Sequence, residues 1–416
     1  MTNEFRVVLL LFANAALGRQ EMDDLSDADI AQIINISKKQ GIFNFVYSQI
    51  SRLDNEQVHK NRNIYLSSVS ENVKRLIYVD KLLSKLEAQG VNYCVLKGET
   101  ISDIYACPEL RISGDVDIYV GASKEKATCK FFSDHGFVCH DRIKTSNHTI
   151  CYSEKYGLVE VHNSLFNELY RDIWFKKGFE LKEPYRKVIS VSGLPVNSLG
   201  ISDGFIFLTL HTIKHFLCEG LGIRQVMDYL LYSVKHCGTI DWKRFWNLAD
   251  MLNYTQLVMH FYGIGVEYFG FNPNDYGCNK KIVYDKAVVD DIINHCEETG
   301  IFGKASTGLE NFHITLTREA YSDEYKVDEY FDKTARKNSF GMIFKNLTKY
   351  SYYRRYKWLF PVAVCHRIFS FVFDLIMGKK NIGGYIKKKK VLPNEKENKK
   401  IELLKKINLI NRGEEQ

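Results

Sequence analysis

The segment Asp115-Val-Asp-Ile-Tyr-Val120 has a branched apolar residue at every second position, which is the pattern of a β-strand with one buried face. On such a strand Asp115 and Asp117 point to the opposite face, about 6.5–7 Å apart along the chain. Two neighbouring carboxylates on a mostly apolar strand repel each other, and this costs free energy unless cations neutralise them. The segment therefore predicts a sheet with one packed face and one face that carries acidic groups.

The sequence before and after this strand predicts a succession of helices and strands. Residues 1–90 have apolar positions at helical spacing, most clearly at residues 71–89, and Gly90 ends this pattern. A turn at Lys97-Gly98 follows the first predicted strand. The other predicted elements are a strand at Val91–Leu96, helices at Glu99–Tyr105 and Ser123–His135, strands at Phe137–Ile143, His148–Ser153 and Leu158–His162, and helices at Asp203–Glu219, Gly222–Lys235, Asp241–Phe271 and Tyr284–Glu298.

The order β-α-β-α-β-β-β between residues 91 and 162 predicts the α+β class. It implies a small mixed sheet with helices on one face, and helical regions lie before and after it. A chain of 416 residues is also too long for one ordinary core. The predicted divisions are a helical region at 1–90, the mixed-sheet domain at 91–200, a helical domain at 201–300, a helical extension at 301–377 and a basic tail at 378–416.

The formal net charge of +7 is concentrated at the C-terminal end of the chain. Residues 378–416 contain twelve Lys and Arg and five Asp and Glu, so the rest of the chain is neutral. This distribution does not favour a nucleic-acid partner, because binding to phosphates requires a basic surface on the folded body. The run Lys387–Lys390 is typical of a solvated tail, with contact to anionic lipid or nucleic acid as the alternative.

Two apolar segments bear on the location of the protein. Val7–Gly18 resembles a short signal peptide, but Glu4 nearly cancels the charge of Arg6 and an acidic helical pattern follows. We therefore expect the first helix of the fold and a cytoplasmic location. Residues 357–377 are apolar over about one membrane span, but charged residues and a proline interrupt them. A packed or interfacial helix is favoured, and a weak membrane-surface contact through residues 357–390 is the alternative.

The ten cysteines are scattered along the chain, and no two of them form a Cys-x-x-Cys pair. Disulfide frameworks are typical of short secreted chains, and zinc sites need clustered ligands. The pattern predicts reduced, buried thiols in a reducing compartment.

A third acidic residue lies on a later predicted strand. In Leu158-Val-Glu-Val-His162, Glu160 and His162 point away from the face that the two valines occupy. If this strand lies beside Asp115–Val120, Glu160 completes a cluster of three carboxylates. Such oxygen ligands suit Mg²⁺ or Mn²⁺ in two-metal phosphoryl transfer. The alternative for the Asp-x-Asp pair alone is an edge strand that faces water, because this short pattern is common.

The motifs around these carboxylates resemble the uncharacterised nucleotidyltransferase family of the DNA polymerase beta superfamily. The resemblance covers residues 1 to about 270 and implies a polymerase-beta-like catalytic domain at 91–200. It also implies that Asp115 and Asp117 bind metal and that Glu160 is the third carboxylate and a candidate base. It rests on Leu96-Lys97-Gly98, Tyr105, Arg111, Ser113-Gly114-Asp115-Val116-Asp117-Ile118 and Glu160-Val161-His162.

Several residues near the acidic strand are candidates for nucleotide binding. Lys97 would contact phosphates, or it is an exposed turn lysine. Arg111 would pair with the triphosphate or with Asp115. Ser113 and Gly114 would let the backbone approach the nucleotide closely. Gly98 is followed by Glu99 at the turn where the wider superfamily carries Gly-Ser or Gly-Gly against the triphosphate.

A second set of candidates lies behind the carboxylates or towards the acceptor. His162 shares a face with Glu160 and would orient it. His211 and His215 lie four residues apart on a helix and are expected as core or supporting histidines, with a metal pair as the alternative. Arg224 and Asp228 have the spacing of a helix salt bridge, and the resemblance implies an acceptor-side role as the alternative.

Together these features predict a magnesium-dependent enzyme that transfers a nucleoside monophosphate from an NTP, with ATP as the first candidate. The acceptor would be a hydroxyl of a small molecule or a sugar, because the family resemblance suggests surface-polysaccharide or other biosynthesis. The alternatives are transfer to a protein or RNA, as in toxin-like members of the superfamily, and a catalytically silent nucleotide-binding regulatory module. The cleft is expected between the acidic sheet face and the helices after residue 200.

Overall fold

The structure is a computed structural model, and it describes residues 1–19, 25, 29–140, 146–167, 174, 178–218, 220–300, 362, 366, 395–407 and 409. The chain divides into two compact units, Met1–Arg318 and Glu319–Gln416. In the second unit, helix α11 spans Glu395–Lys406. The finer domain divisions expected from the sequence stay a prediction.

The first unit begins with four helices, as the sequence predicts for residues 1–90. They are α1 (Asn3–Leu17), α2 (Ile30–Lys39), α3 (Phe43–Ile50) and α4 (Glu56–Ala88). The apolar stripe predicted at residues 71–89 is the C-terminal half of α4. Its buried leucines and valine pack against the sheet and anchor the helix there.

Among the described residues, seven strands form one mixed sheet in the order β3-β4-β5-β2-β1-β7-β6. Strand β2 is parallel to β5 and antiparallel to β1, and β1 is parallel to β7. This arrangement confirms the predicted α+β class with a mixed sheet. The strands are β1 (Cys94–Val95), β2 (Asp115–Tyr119), β3 (Val138–Cys139), β4 (His148–Ser153), β5 (Gly157–His162), β6 (Arg186–Ile189) and β7 (Pro195–Ser198).

The structure differs from the sequence predictions at three places in this region. The short helix expected at Glu99–Tyr105 is two 3-10 turns, Gly98–Thr100 and Ser102–Ile104. Of the strand expected at Phe137–Ile143, Val138–Cys139 form β3 and the His140 N–H donates to the Ile150 carbonyl oxygen at 2.9 Å, whereas residues 141–143 lie outside the described residues. Strands β6 and β7 were not predicted, because each has four residues and only one buried apolar side chain, Val188 or Val196.

One face of the sheet packs against α4 and against α5 (Glu125–Asp134), as the sequence predicts for the apolar side of β2. Residues from α4, from the strands and from α5 form one buried cluster there. Burial of each such side chain contributes about 1.5–3 kcal/mol relative to exposure, so this face fixes the strand orientation. The strand members of the cluster include Val95, Val116, Ile118, Cys151, Val159, Val161 and Val196.

Between residues 201 and 300, the described chain forms five helices: α6 (Ile201–Cys218), α7 (Ile223–His236), α8 (Trp242–Met251), α9 (Thr255–Tyr268) and α10 (Lys286–Thr299). The single stretch predicted at Asp241–Phe271 is two helices. The break contains Asn253, whose φ of 55° cannot continue a right-handed helix.

No helix in the described ranges has the length and apolar character needed to cross a membrane. The predictions for residues 301–356 and Lys387–Lys390 lie outside the described residues, and so do those for 357–377 except at Val362 and His366. The expected cytoplasmic location stays a prediction.

The structure corrects the expectation that the cysteines are all reduced. Cys139 and Cys151 form a disulfide. The two residues are direct partners on the antiparallel strands β3 and β4, with their Cα atoms 4.0 Å apart. Their separation of twelve residues in the sequence does not reveal this register, because a separation alone does not determine which residues of two strands are partners.

Candidate active site

The three carboxylates predicted from the alternation of the strands lie on one face of the sheet. Asp117 of β2 is the direct partner of Glu160 on the parallel strand β5. One oxygen from each of Asp115, Asp117 and Glu160 lies within 4.8 Å of the others. The alternating valines and isoleucine of these strands are buried on the other face. The packed face therefore holds the carboxylates together, despite their mutual repulsion.

Asp117 is the centre of the cluster and is buried. Its Oδ2 lies 3.1 Å from the Lys97 ammonium, and its Oδ1 lies 3.0 Å from His162 Nε2. Burial alone would raise the pKa of Asp117, but the Lys97 charge and the His162 hydrogen bond outweigh it and hold this pKa far below its usual range. Asp117 is therefore an anion at every physiological pH.

Asp115 is partly exposed, and its pKa is shifted in the opposite direction to that of Asp117. Burial and the negative charge of Asp117 raise the pKa of Asp115, although the Lys97 charge opposes them. The cluster therefore has more negative charge than the nearby lysine neutralises. A set of three carboxylates with this excess fits a divalent cation such as Mg²⁺ or Mn²⁺, which prefers oxygen ligands.

Two histidines lie beside Glu160 on the same face. His162 Nε2 is 3.5 Å from Glu160 Oε2, and His148 Nε2 is 3.6 Å from the same oxygen. His162 was predicted beside Glu160, but its shorter contact is to Asp117. His148 was missed from the sequence. His148 shares its face of β4 with Ile150 and Tyr152, so alternation alone does not assign it to the acidic face, whereas its register directly opposite His162 does.

Helix α6 places the predicted histidine pair behind Lys97. His211 Nε2 is 3.3 Å from the Lys97 nitrogen and 2.9 Å from His215 Nε2. Burial and the Lys97 charge lower the pKa of His211 well below its usual value, so His211 is neutral. Within the described residues, neither histidine belongs to a group that could hold a metal ion. The pair contacts Lys97 through His211, and the predicted supporting role of the two histidines stays a prediction.

Arg111 forms an ion pair with Asp228, and not with Asp115 as the sequence suggested. Its Nε and Nη2 donate to Asp228 Oδ1 and Oδ2 at 2.7 and 2.6 Å, and Tyr105 donates to Oδ1 at 2.6 Å. The predicted pairing of Arg111 with Asp115 and the predicted helix salt bridge from Arg224 to Asp228 were therefore wrong. Arg224 donates to the Ile112 carbonyl oxygen instead. The roles of these residues towards nucleotide and acceptor stay predictions.

The Arg111 ion pair supports the turn that carries Lys97. Arg111 Nη1 donates to the Gly98 carbonyl oxygen at 3.1 Å. Gly98 has a φ of 75°, and a Cβ there would lie 3.1 Å from Ser113 Oγ. The backbone conformation at Gly98 therefore favours glycine, and a larger residue would also crowd the Ser113 side chain.

The loop before the acidic strand is held by a residue that the sequence did not suggest. Arg75 of α4 donates to the carbonyl oxygens of Ser113 and Gly114, at 2.6 and 3.1 Å. A Cβ at Gly114 would meet nothing within 4 Å, so the loop is open on that side. The proposed close approach of a nucleotide to Ser113 and Gly114 stays a prediction.

Glu99 is a buried acid next to this site. Its side chain is 2% exposed, and among the described residues neither carboxylate oxygen has a hydrogen-bond partner. Burial, with the charge of Asp80, raises the pKa of Glu99 to about 8. Glu99 is therefore mostly protonated at neutral pH.

This pKa predicts a pH dependence of stability. Between the ordinary Glu value of 4.5 and about 8, the unfolded chain releases a proton that the folded protein keeps. The Glu99 contribution to the free energy of unfolding should fall as pH rises through this window, by up to about 1.4 kcal/mol per pH unit. Glu99→Gln should remove this pH-dependent contribution.

Urea denaturation of the wild type and Glu99→Gln at several pH values measures the difference. As a control, Glu71→Gln on the exposed part of α4 should leave the pH dependence of stability as in the wild type. Parallel pH curves for wild type and Glu99→Gln would contradict the prediction.

Comparison with known protein families gives one match. The family model described as uncharacterised nucleotidyltransferase matches residues 26–270, which is more than half of the chain. The match includes the sheet, the three carboxylates and helices α6 to α9. No curated protein and no solved structure matches the chain.

Proposed function

Because the chain belongs to the uncharacterised nucleotidyltransferase family, we propose that it transfers a nucleoside monophosphate from an NTP to a hydroxyl group and releases pyrophosphate. The observation that carries this proposal is the cluster of Asp115, Asp117 and Glu160, whose oxygens lie within 4.8 Å of one another. The proposed acceptor is a small molecule or a sugar, because the chain before residue 378 has no excess of basic residues to bind a nucleic acid. A role in surface-polysaccharide or other biosynthesis is part of the proposal.

The three carboxylates would hold two divalent cations, with Mg²⁺ or Mn²⁺ as the candidates. Such cations lower the pKa of an attacking hydroxyl and neutralise charge on the triphosphate. Asp117 is the anion best suited to this binding, because its pKa is strongly lowered in the folded protein. The Lys97 ammonium, 3.1 Å from Asp117, would leave this partner and contact the phosphates when a cation binds.

Glu160 is the proposed base. It is the carboxylate of the cluster that also contacts His148 and His162, and its side chain is partly exposed. It would accept the proton of the acceptor hydroxyl while that oxygen forms a bond to the α-phosphorus. The bond from the α-phosphorus to the bridging oxygen breaks, and pyrophosphate leaves with this oxygen.

Label transfer from each of the four NTPs tests the proposed reaction. Wild-type protein should move radiolabel from the α-phosphate to an acceptor, whereas label from the γ-phosphate should appear in pyrophosphate, and EDTA should stop both. The acceptors to supply are sugars and sugar phosphates, with the protein itself and total RNA as separate samples. Label on protein or RNA would favour the alternative acceptors. Transfer of γ-label, or nucleotide binding without any transfer, would contradict the proposed activity.

A further inference from the structure

The Asn147 side chain determines the hydrogen-bonding role of His162. Asn147 precedes β4, and its Nδ2 lies 2.9 Å from the Ser164 carbonyl oxygen and 3.0 Å from His162 Nδ1. A carbonyl oxygen only accepts hydrogen bonds, so the atom of Asn147 that faces Ser164 must be the amide nitrogen. The second N–H of the same nitrogen then points to the His162 ring.

This contact assigns the tautomer of His162. Because Asn147 donates to Nδ1, this ring nitrogen must carry the lone pair, and the proton of the neutral ring lies on Nε2. His162 Nε2 is 3.0 Å from Asp117 Oδ1 and 3.5 Å from Glu160 Oε2. The N–H of His162 therefore points at the carboxylate cluster, and its lone pair does not.

We propose that Asn147 is a positioning residue, which keeps His162 as an N–H donor to Asp117 and so directs Asp117 Oδ2 towards the cation. The proposal rests on the proposed function for the role of Asp117 as a cation ligand. It also determines which of the groups around Glu160 can ligate a metal ion. His148, Glu160 and His162 have ligand atoms within 4.8 Å of one another, but a His162 that donates from Nε2 does not ligate a metal through that atom. His162 is then excluded as a ligand of the cation through this atom, and the carboxylate oxygens of Asp115, Asp117 and Glu160 remain.

Nitrogen NMR of the histidine rings tests the tautomer without any turnover. Burial lowers the pKa of His162, but its contacts with Asp117 and Glu160 outweigh burial and raise this pKa, so spectra are recorded at increasing pH until the ring is neutral. The neutral ring of the wild type should then show His162 Nδ1 as an unprotonated nitrogen and Nε2 as a protonated one. Asn147→Asp replaces the donor by an acceptor of the same shape, so Nδ1 should become protonated. Asn163→Asp is the matched control, because it adds the same charge one residue from His162 while Asn163 contacts Glu125. There Nδ1 should stay unprotonated.

Binding of Mn²⁺ tests the consequence for the cation site. Electron paramagnetic resonance of the wild type with Mn²⁺ should show the same imidazole-nitrogen coupling as that of His162→Gln, because His162 does not ligate the cation. Asn147→Leu, which cannot donate to His162, should bind Mn²⁺ about tenfold more weakly, the usual effect of losing a residue that orients a metal ligand.

A protonated Nδ1 in the wild type, an unchanged Nδ1 in Asn147→Asp, or a nitrogen coupling to bound Mn²⁺ that His162→Gln removes would each overturn the proposal. The wild-type spectra decide the question even if a variant fails to fold. None of these measurements requires nucleotidyl transfer. A negative label-transfer experiment would therefore reject the proposed function and leave the assignment of His162 and Asn147 intact.

Discussion

Asp117→Asn is expected to lower the kcat of nucleotidyl transfer by about 10³-fold or more, the scale on which loss of one preorganised electrostatic group acts. Asp117 is the carboxylate held most firmly as an anion, between Lys97 and His162. Asparagine keeps the shape and can still accept from His162, but it has no charge to bind a divalent cation. The chemical step, rather than the folding of the site, should therefore fail. Initial rates of α-label transfer at saturating Mg²⁺ measure the effect.

The matched control for this change is Asp134→Asn. Asp134 ends helix α5, and its exposed carboxylate pairs with Lys130. The same loss of charge there should leave kcat unchanged. A second measurement separates cation binding from folding: Mg²⁺ with nucleotide should raise the melting temperature of the wild type and of Asp134→Asn, but not that of Asp117→Asn. Wild-type turnover by Asp117→Asn would refute the assignment of the cluster.

The acidic cluster was predictable because it depends on parity within single strands. In β2 and β5, every second residue is a branched apolar side chain, and this fixes the face to which Asp115, Asp117 and Glu160 point. The prediction also required the assumption that the two strands are neighbours. The parallel pairing of Asp117 with Glu160 confirms this assumption.

The contacts that support the cluster were not predictable in the same way. Lys97 meets His211 across 114 residues of sequence, and Arg111 meets Asp228 across 117. Such partners depend on where a helix of the second half of the chain lies against the sheet, and side-chain periodicity does not encode this placement. Spacing within one helix instead suggested Arg224 as the partner of Asp228. A tertiary ion pair replaced that local one, because Arg111 satisfies both oxygens of Asp228 in a buried environment.

Two further features of the sheet depend on the register of its strands, which the sequence does not show. His148 faces the site because of its register with His162, and a one-residue shift would turn it to the packed face. The same register joins Cys139 to Cys151. Neither fact follows from composition or spacing, so both the histidine and the disulfide escaped prediction.

Arg111→Met is expected to lower the free energy of unfolding by about 3–5 kcal/mol, the usual cost of leaving one partner of a buried ion pair uncompensated. Arg111 and Asp228 have side chains only 3% and 4% exposed. The variant keeps the volume of the arginine stem. Of the two side chains that donate to the Asp228 carboxylate, Arg111 and Tyr105, it leaves Tyr105. Urea denaturation measures the change, and Arg52→Met, at an exposed loop position, should change stability by no more than about 0.5 kcal/mol.

The double variant Arg111→Met with Asp228→Leu distinguishes a buried charge from lost packing. Replacing both partners by apolar groups removes the uncompensated carboxylate, and such replacements are often neutral or stabilising. We therefore expect the double variant to be more stable than Arg111→Met alone, with a coupling energy above about 1 kcal/mol. The Tyr105 hydroxyl would then lose its acceptor, which costs about 1–3 kcal/mol and keeps the double variant below the wild type. Additive losses from the two single changes would show that packing, and not the ion pair, holds Arg111 against the Gly98 turn.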